Sequence, residues 1–133
     1  VLSILIGVND IFHYIWRNLP FDCKQEEAIY EMLIDAALKA NPDIKLIICQ
    51  PFVLKVGACV EKWDTVKKCC SEMSDLAQKL SERHKTAFVR FQDAFDSATK
   101  KADPSYWIWD GVHPTAAGHH LMAQEWLKAV GYK

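Results

Sequence analysis

Leu2-Ser3-Ile4-Leu5-Ile6-Gly7-Val8-Asn9-Asp10 is the stretch on which the fold turns. Leu2–Ile6 carries no charge, is aliphatic except for Ser3, and stops at a glycine. A strand with one wet face would alternate apolar with polar side chains. A continuous apolar run with β-branched residues, bounded by a turn signal, reads as a short strand buried on both faces, as in a parallel sheet. Gly7-Val8-Asn9-Asp10 then reads as the loop leaving that strand.

Two further segments repeat the pattern. Ile44–Cys49 is apolar apart from Lys45 and ends at Gln50-Pro51, where proline cannot continue a central ladder. Ala87–Phe91 forms a third short strand. Between them lie segments of helical period. Lys24–Ala40 places Ala28, Ile29, Met32, Leu33, Ala36 and Ala37 on one stripe, with Glu26, Glu27, Glu31 and Lys39 on other faces. Val60–His84 places Trp63, Val66, Cys70, Met73, Ala77 and Leu80 on its apolar stripe. A short helical stretch near Asp93–Lys101 precedes an aromatic-rich loop, Pro104–Trp109. A last helix, with Pro114 at its start, runs to about Val130 and is expected to bury Leu121, Met122, Trp126 and Leu127. Strands alternating with helices predict an α/β fold, a parallel sheet covered on both faces by right-handed crossovers. Ligands in such sheets bind beyond the carboxyl ends of the strands, which here means Gly7–Asp10, Gln50–Phe52 and the region leading to Asp110–His113.

Composition narrows the function. The 133 residues are 50% hydrophobic and 11% aromatic, too apolar for a disordered chain and short enough for one domain. With 16 basic against 17 acidic residues there is no excess positive charge to draw a nucleic acid. No apolar run approaches the ~20 residues of a transmembrane helix. Cys23, Cys49, Cys59, Cys69 and Cys70 are odd in number and irregularly spaced, with no Cys-x-x-Cys. They read as reduced structural thiols, which favours a cytoplasmic location, and no Cys/His set has the spacing of a metal site.

The sharpest chemical signal is Asp110-Gly111-Val112-His113-Pro114. A carboxylate three residues before a histidine, in a turn, can accept a hydrogen bond from Nδ1 and leave Nε2 free as a base. The alternative is an Asp cap beside an exposed histidine. Asn9 is the second signal: a side-chain N–H at a strand terminus suits a developing oxyanion, where an ordinary Asn-Asp turn is the competing reading.

Together, Gly7-x-Asn9-Asp10 after a strand and Asp110-x-x-His113-Pro114 near the far end resemble the SGNH (GDSL-type) esterase and lipase family. Trp109, Thr115 and Gly118-His119 extend the likeness. The resemblance implies a three-layer α/β/α, flavodoxin-like parallel sheet. It also implies Asn9 as an oxyanion-hole donor, His113 as general base and Asp110 as its orienter, with no metal or organic cofactor. The family's Gly-Asp-Ser nucleophile block and its following glycine block are absent here. None of Ser3, Ser71, Ser74, Ser81, Ser97 and Ser105 stands in such a context. Moreover, Leu2–Ile6 lacks the charge, proline or bulge that blunts a sheet edge, and so expects a neighbouring strand from a preceding segment or a partner chain. The expectation is the C-terminal part of a hydrolase domain whose serine lies upstream.

Phe12, Phe52 and Trp109 are the candidate substrate-binding aromatics, suited to an acylated sugar or another small-molecule ester, with core packing as the competing role. The alternative to an esterase is a non-catalytic α/β binding module or an inactive hydrolase fragment. A flavin-binding domain is disfavoured because no phosphate-cradling loop follows the first strand.

Overall fold

The computed structural model describes residues 1–131. Three short strands, β1 (Leu2–Ile4), β2 (Leu46–Cys49) and β3 (Ala87–Val89), form a parallel sheet in the order β1-β2-β3. Register aligns Ile4 with Ile48 and Cys49 with Val89. The helices are α1 (Val8–Trp16), α2 (Cys23–Ala40), α3 (Trp63–His84), α4 (Phe91–Ala98), the single turn α5 (Pro104–Trp107) and α6 (Ala116–Ala129).

Strand β2 shows why its sequence is apolar throughout. Leu46 and Ile48 join Ile4 in the core shared with α1, α2 and α3, whereas Ile47 and Cys49 join Val89 in a second core with Phe91, Phe95 and Ile108. Alternate side chains serve opposite layers, so the strand has no wet face. The result is the expected three-layer α/β/α sandwich. Strand β1 differs: it pairs only with β2, and Leu2 stays 37% exposed while Ile4 is buried. Its predicted two-faced burial therefore fails on the open side, where no strand adjoins it among the described residues.

Helix α3 buries most of the expected stripe, with Val66, Cys70, Met73, Ala77 and Leu80 in the core and Trp63 only half-buried against it. Helix α2 does not. It buries Glu26, Tyr30 and Ile34, and leaves Ile29, Met32 and Leu33 exposed. Two interactions rotate it. The Tyr30 hydroxyl reaches inward to donate to the Ile4 carbonyl at 3.4 Å. The other is ionic: Glu27 meets Lys79 and Arg83, and Glu31 meets Arg83 and His84, all on α3. Helix α6 is also less covered than expected. Leu121, Met122 and Trp126 are half-buried and Leu127 is exposed, because α6 packs mainly on α4, α5 and β3. Trp126 reaches past them to donate to Ser3 Oγ at 2.9 Å.

Glu26 makes a testable joint between α1 and α2. Its carboxylate is buried and accepts a hydrogen bond from the Tyr14 hydroxyl at 3.3 Å. Burial, then the nearby charge of Asp10, raises its pKa above the ordinary glutamate value. A carboxyl raised in the fold contributes fully below its unfolded pKa and loses that contribution as pH rises through the folded value. Glu26→Gln, neutral at every pH, is therefore expected to raise the thermal midpoint at about pH 8 and to leave it unchanged at about pH 4. Scanning calorimetry at the two pH values measures this.

Candidate active site

Three chain segments leave the carboxyl ends of the strands, and two of them carry polar groups free to meet a ligand. After β1 the backbone turns at Gly7, whose φ of 109° lies in the region that favours glycine. A Cβ there would lie 2.7 Å from the Met73 side chain, so the turn is closed to larger residues. From Gly7 the chain enters the first turn of α1 rather than the expected loop. Asp10 suits the positive end of the helix, and Ile11, Phe12 and Ile15 give it a buried face strong enough to outweigh the Asn-Asp turn signal. Asn9 is exposed in that first turn, and its side chain has no hydrogen-bond partner among the described residues.

The second polar group is the Asp110–His113 pair. Trp109 N donates to the His113 carbonyl at 2.9 Å and Ile108 bridges Pro114, so residues 108–114 close into a tight hairpin. Pro114 thus belongs to the bridge; Thr115 caps α6 instead, its hydroxyl accepting from Gly118 N at 3.2 Å. Inside the hairpin Asp110 Oδ1 accepts from the backbone N–H groups of Val112 (3.1 Å) and His113 (3.0 Å). That leaves Oδ2 for His113 Nδ1, at 2.8 Å. Burial alone would push the Asp110 carboxyl up. The His113 ring, then the two backbone N–H groups, outweigh it and hold the carboxyl below the usual aspartate value. His113 is exposed, and its Nε2 has no partner among the described residues. The pair is therefore an imidazole with an oriented inner nitrogen and an open outer one.

The segment after β2 carries this hairpin. Leu54 N donates to the Gly111 carbonyl and Ala58 N to the Asp110 carbonyl, each at 2.9 Å. Gly57, at φ 54°, passes so close that a Cβ would sit 2.4 Å from Asp110 Cα. Gly111, at φ 108°, rests on Cys59 Sγ in the same way. Cys59 is fully buried, and burial together with the Asp110 charge pushes its thiol up to about 11, so it is packing and not a nucleophile. All five cysteines are free thiols. No cluster of three or more His, Cys, Asp or Glu side chains suited to a metal exists among the described residues.

Val8 and Val112, the neighbours of Asn9 and His113, pack against the same core cluster. Phe12 and Phe52 do not reach the rim: they are 9% and 6% exposed, Phe52 packed against Phe91 and Phe95. Their apolar rings go where burial is available, in the core-packing role that competes with substrate contact. Trp109 is 69% exposed, with its indole N–H donated to the Pro114 carbonyl at 3.1 Å. Its ring is thereby held beside Asp110 with surface to spare. Sequence reasoning misses the carrying segment 53–59; the polar Gln50 at the end of an apolar strand is its only local trace.

A family model described as GDSL-like lipase/acylhydrolase matches residues 1–121. An acetylxylan esterase from Geobacillus stearothermophilus is 27% identical over 138 residues, covering 99% of this chain and 59% of that protein. A crystal structure described as a GDSL-like lipase from Parabacteroides merdae superposes with a TM-score of 0.90 at 39% identity, covering 99% of this chain and 60% of that one. The crystal structure of an acetylxylan esterase from G. stearothermophilus gives 0.79 at 26% identity, covering 98% and 59%. The chain thus spans about three-fifths of the length of these relatives.

Proposed function

The chain belongs to the GDSL-like lipase/acylhydrolase family, and on that premise we propose that it furnishes the base, its orienting carboxylate and one oxyanion donor of a serine ester hydrolase. The observation that carries this is the 2.8 Å contact of Asp110 Oδ2 with His113 Nδ1, with Nε2 left open. In the proposed reaction His113 Nε2 takes the proton of a serine hydroxyl as that oxygen attacks the ester carbonyl. The Asn9 amide donates to the oxyanion that forms. Nε2 then returns the proton to the departing alcohol, and water repeats the cycle on the acyl-serine.

The serine comes, in this reading, from polypeptide outside these residues that adds to the open side of β1. The serines of the chain are otherwise engaged or remote: Ser3 accepts from Trp126, Ser74 donates to the Pro51 carbonyl, Ser81 to the Thr86 carbonyl and Ser105 to Asp103. None has a hydrogen bond to His113. Exposed Val1, Leu2 and Leu5 along the edge strand suit an added apolar neighbour. Acetylated carbohydrate is the proposed substrate class, on the likeness to an acetylxylan esterase and on the exposed ring of Trp109, a stacking face for a sugar. The five free thiols fit a reducing, cytoplasmic setting.

The test is a fluorophosphonate label applied to the full-length protein, together with hydrolysis of acetylated xylo-oligosaccharide against long-chain acyl esters. Covalent labelling and faster acetyl release are expected. No label and no ester turnover would make the domain a binding module instead.

A further inference from the structure

The hairpin bearing Asp110 and His113 touches no strand of the sheet through hydrogen bonds of its own; it is carried by the segment 53–59. One side chain from elsewhere grips that segment. Gln92, in the first turn of α4, accepts from Val53 N at 2.8 Å through Oε1 and donates to the Val53 carbonyl at 3.2 Å through Nε2. It satisfies both backbone groups of a residue that is 1% exposed, as a neighbouring strand would. A primary amide offers one donor and one acceptor side by side in this way. Nε2 makes a second bond, to Asp96 Oδ1 at 2.8 Å, which holds the amide plane in place.

Gln92 is itself fixed from β2. The buried Gln50, immediately after that strand, accepts from Gln92 N at 3.0 Å and Asp93 N at 3.4 Å through its Oε1. The path from there to the reacting nitrogen is continuous. Gln92 sets Val53; the next residue, Leu54, donates to the Gly111 carbonyl; Ala58 donates to the Asp110 carbonyl; and Asp110 orients His113.

We propose that Gln92 is a positioning residue for His113, acting through the backbone of Val53 and the segment that seats the Asp110–His113 hairpin. Its catalytic meaning rests on the esterase reading above, whereas its effect on the imidazole does not. Displacing a base by ~1 Å costs about 10²-fold in rate. Gln92→Ala in the full-length protein is therefore expected to lower kcat about 10- to 100-fold with KM nearly unchanged. It is also expected to shift the ¹⁵N-detected tautomer balance of the His113 ring. Gln92→Glu keeps the volume and the acceptor for Val53 N but loses the donor to the Val53 carbonyl. It should move both readouts in the same direction, and stands in if the alanine variant does not fold.

The control is Ser81→Ala, which removes a buried hydroxyl near the amino end of β3, far along α3 from the rim. It should cost stability and leave the His113 spectrum unmoved. An unchanged His113 spectrum in both Gln92 variants overturns the proposal, as does an equal change in Ser81→Ala. A shifted spectrum in a full-length protein that hydrolyses no ester in any form would sustain the positioning role and defeat the esterase reading.

Discussion

Asp110→Asn is expected to lower kcat about 10⁴-fold in the full-length protein while leaving the fold intact. The asparagine Oδ1 can still accept from Val112 N and His113 N, so the hairpin keeps its shape. What changes is the group facing His113 Nδ1. An NH₂ there cannot accept a proton, so the ring turns or adopts the other tautomer, placing its N–H on the outer nitrogen where a base must be bare. The magnitude is that known for orienting carboxylates of serine hydrolases generally. Steady-state kinetics with a chromogenic acetate ester measures it, and a ¹⁵N spectrum of the ring should show the tautomer reversed. A loss below tenfold would mean that Asp110 caps the turn and does no more. Because hydrogen bonds hold the Asp110 carboxyl below its ordinary value, the wild-type pair stays intact through mildly acidic solution. Its contribution is present above the unfolded pKa and disappears only as pH falls through the lower folded one.

His113→Ala is expected to do more, lowering kcat by about 10⁴- to 10⁶-fold, with stability within about 0.5 kcal/mol of wild type. The ring is 77% exposed and bonds only to Asp110, so its removal empties no core and strands no buried partner. Kinetic loss without structural loss is the signature of a group that acts on substrate. Fluorophosphonate labelling should fall with kcat, since it needs the same deprotonated serine. Added imidazole, small enough to enter the space vacated beside Asp110, should restore part of the rate. A variant that loses kcat and thermal midpoint together would instead assign His113 to the fold.

The predictability of each part from sequence tracks the range of the forces that shape it. The inner stripe of helix α3, from Val66 to Leu80, is legible because apolar residues at helical spacing dominate it. Helix α2 is not: its orientation is decided by Tyr30 reaching Ile4 and by Glu27 and Glu31 meeting cations on α3, partners distant in sequence. Helix α1 is short and begins with residues that equally suit a turn, so its buried face decides the outcome. Asp110 and His113 are visible because their geometry is internal to a few consecutive residues. The seat beneath them is not, since Gln92, Val53, Gly57 and Gly111 meet only once the sheet exists.

That difference in range has a kinetic side. The Asp110–His113 contact closes a loop of minimal length, so it forms at little entropic cost and can reassemble quickly whenever the hairpin opens. The relation of Asn9 to His113 spans nearly the whole chain and exists only while α1 and the hairpin share one core. Partial unfolding at the rim is therefore expected to separate Asn9 from His113 before it separates His113 from Asp110. Hydrogen exchange is expected to report the hairpin and the first turn of α1 as different cooperative units.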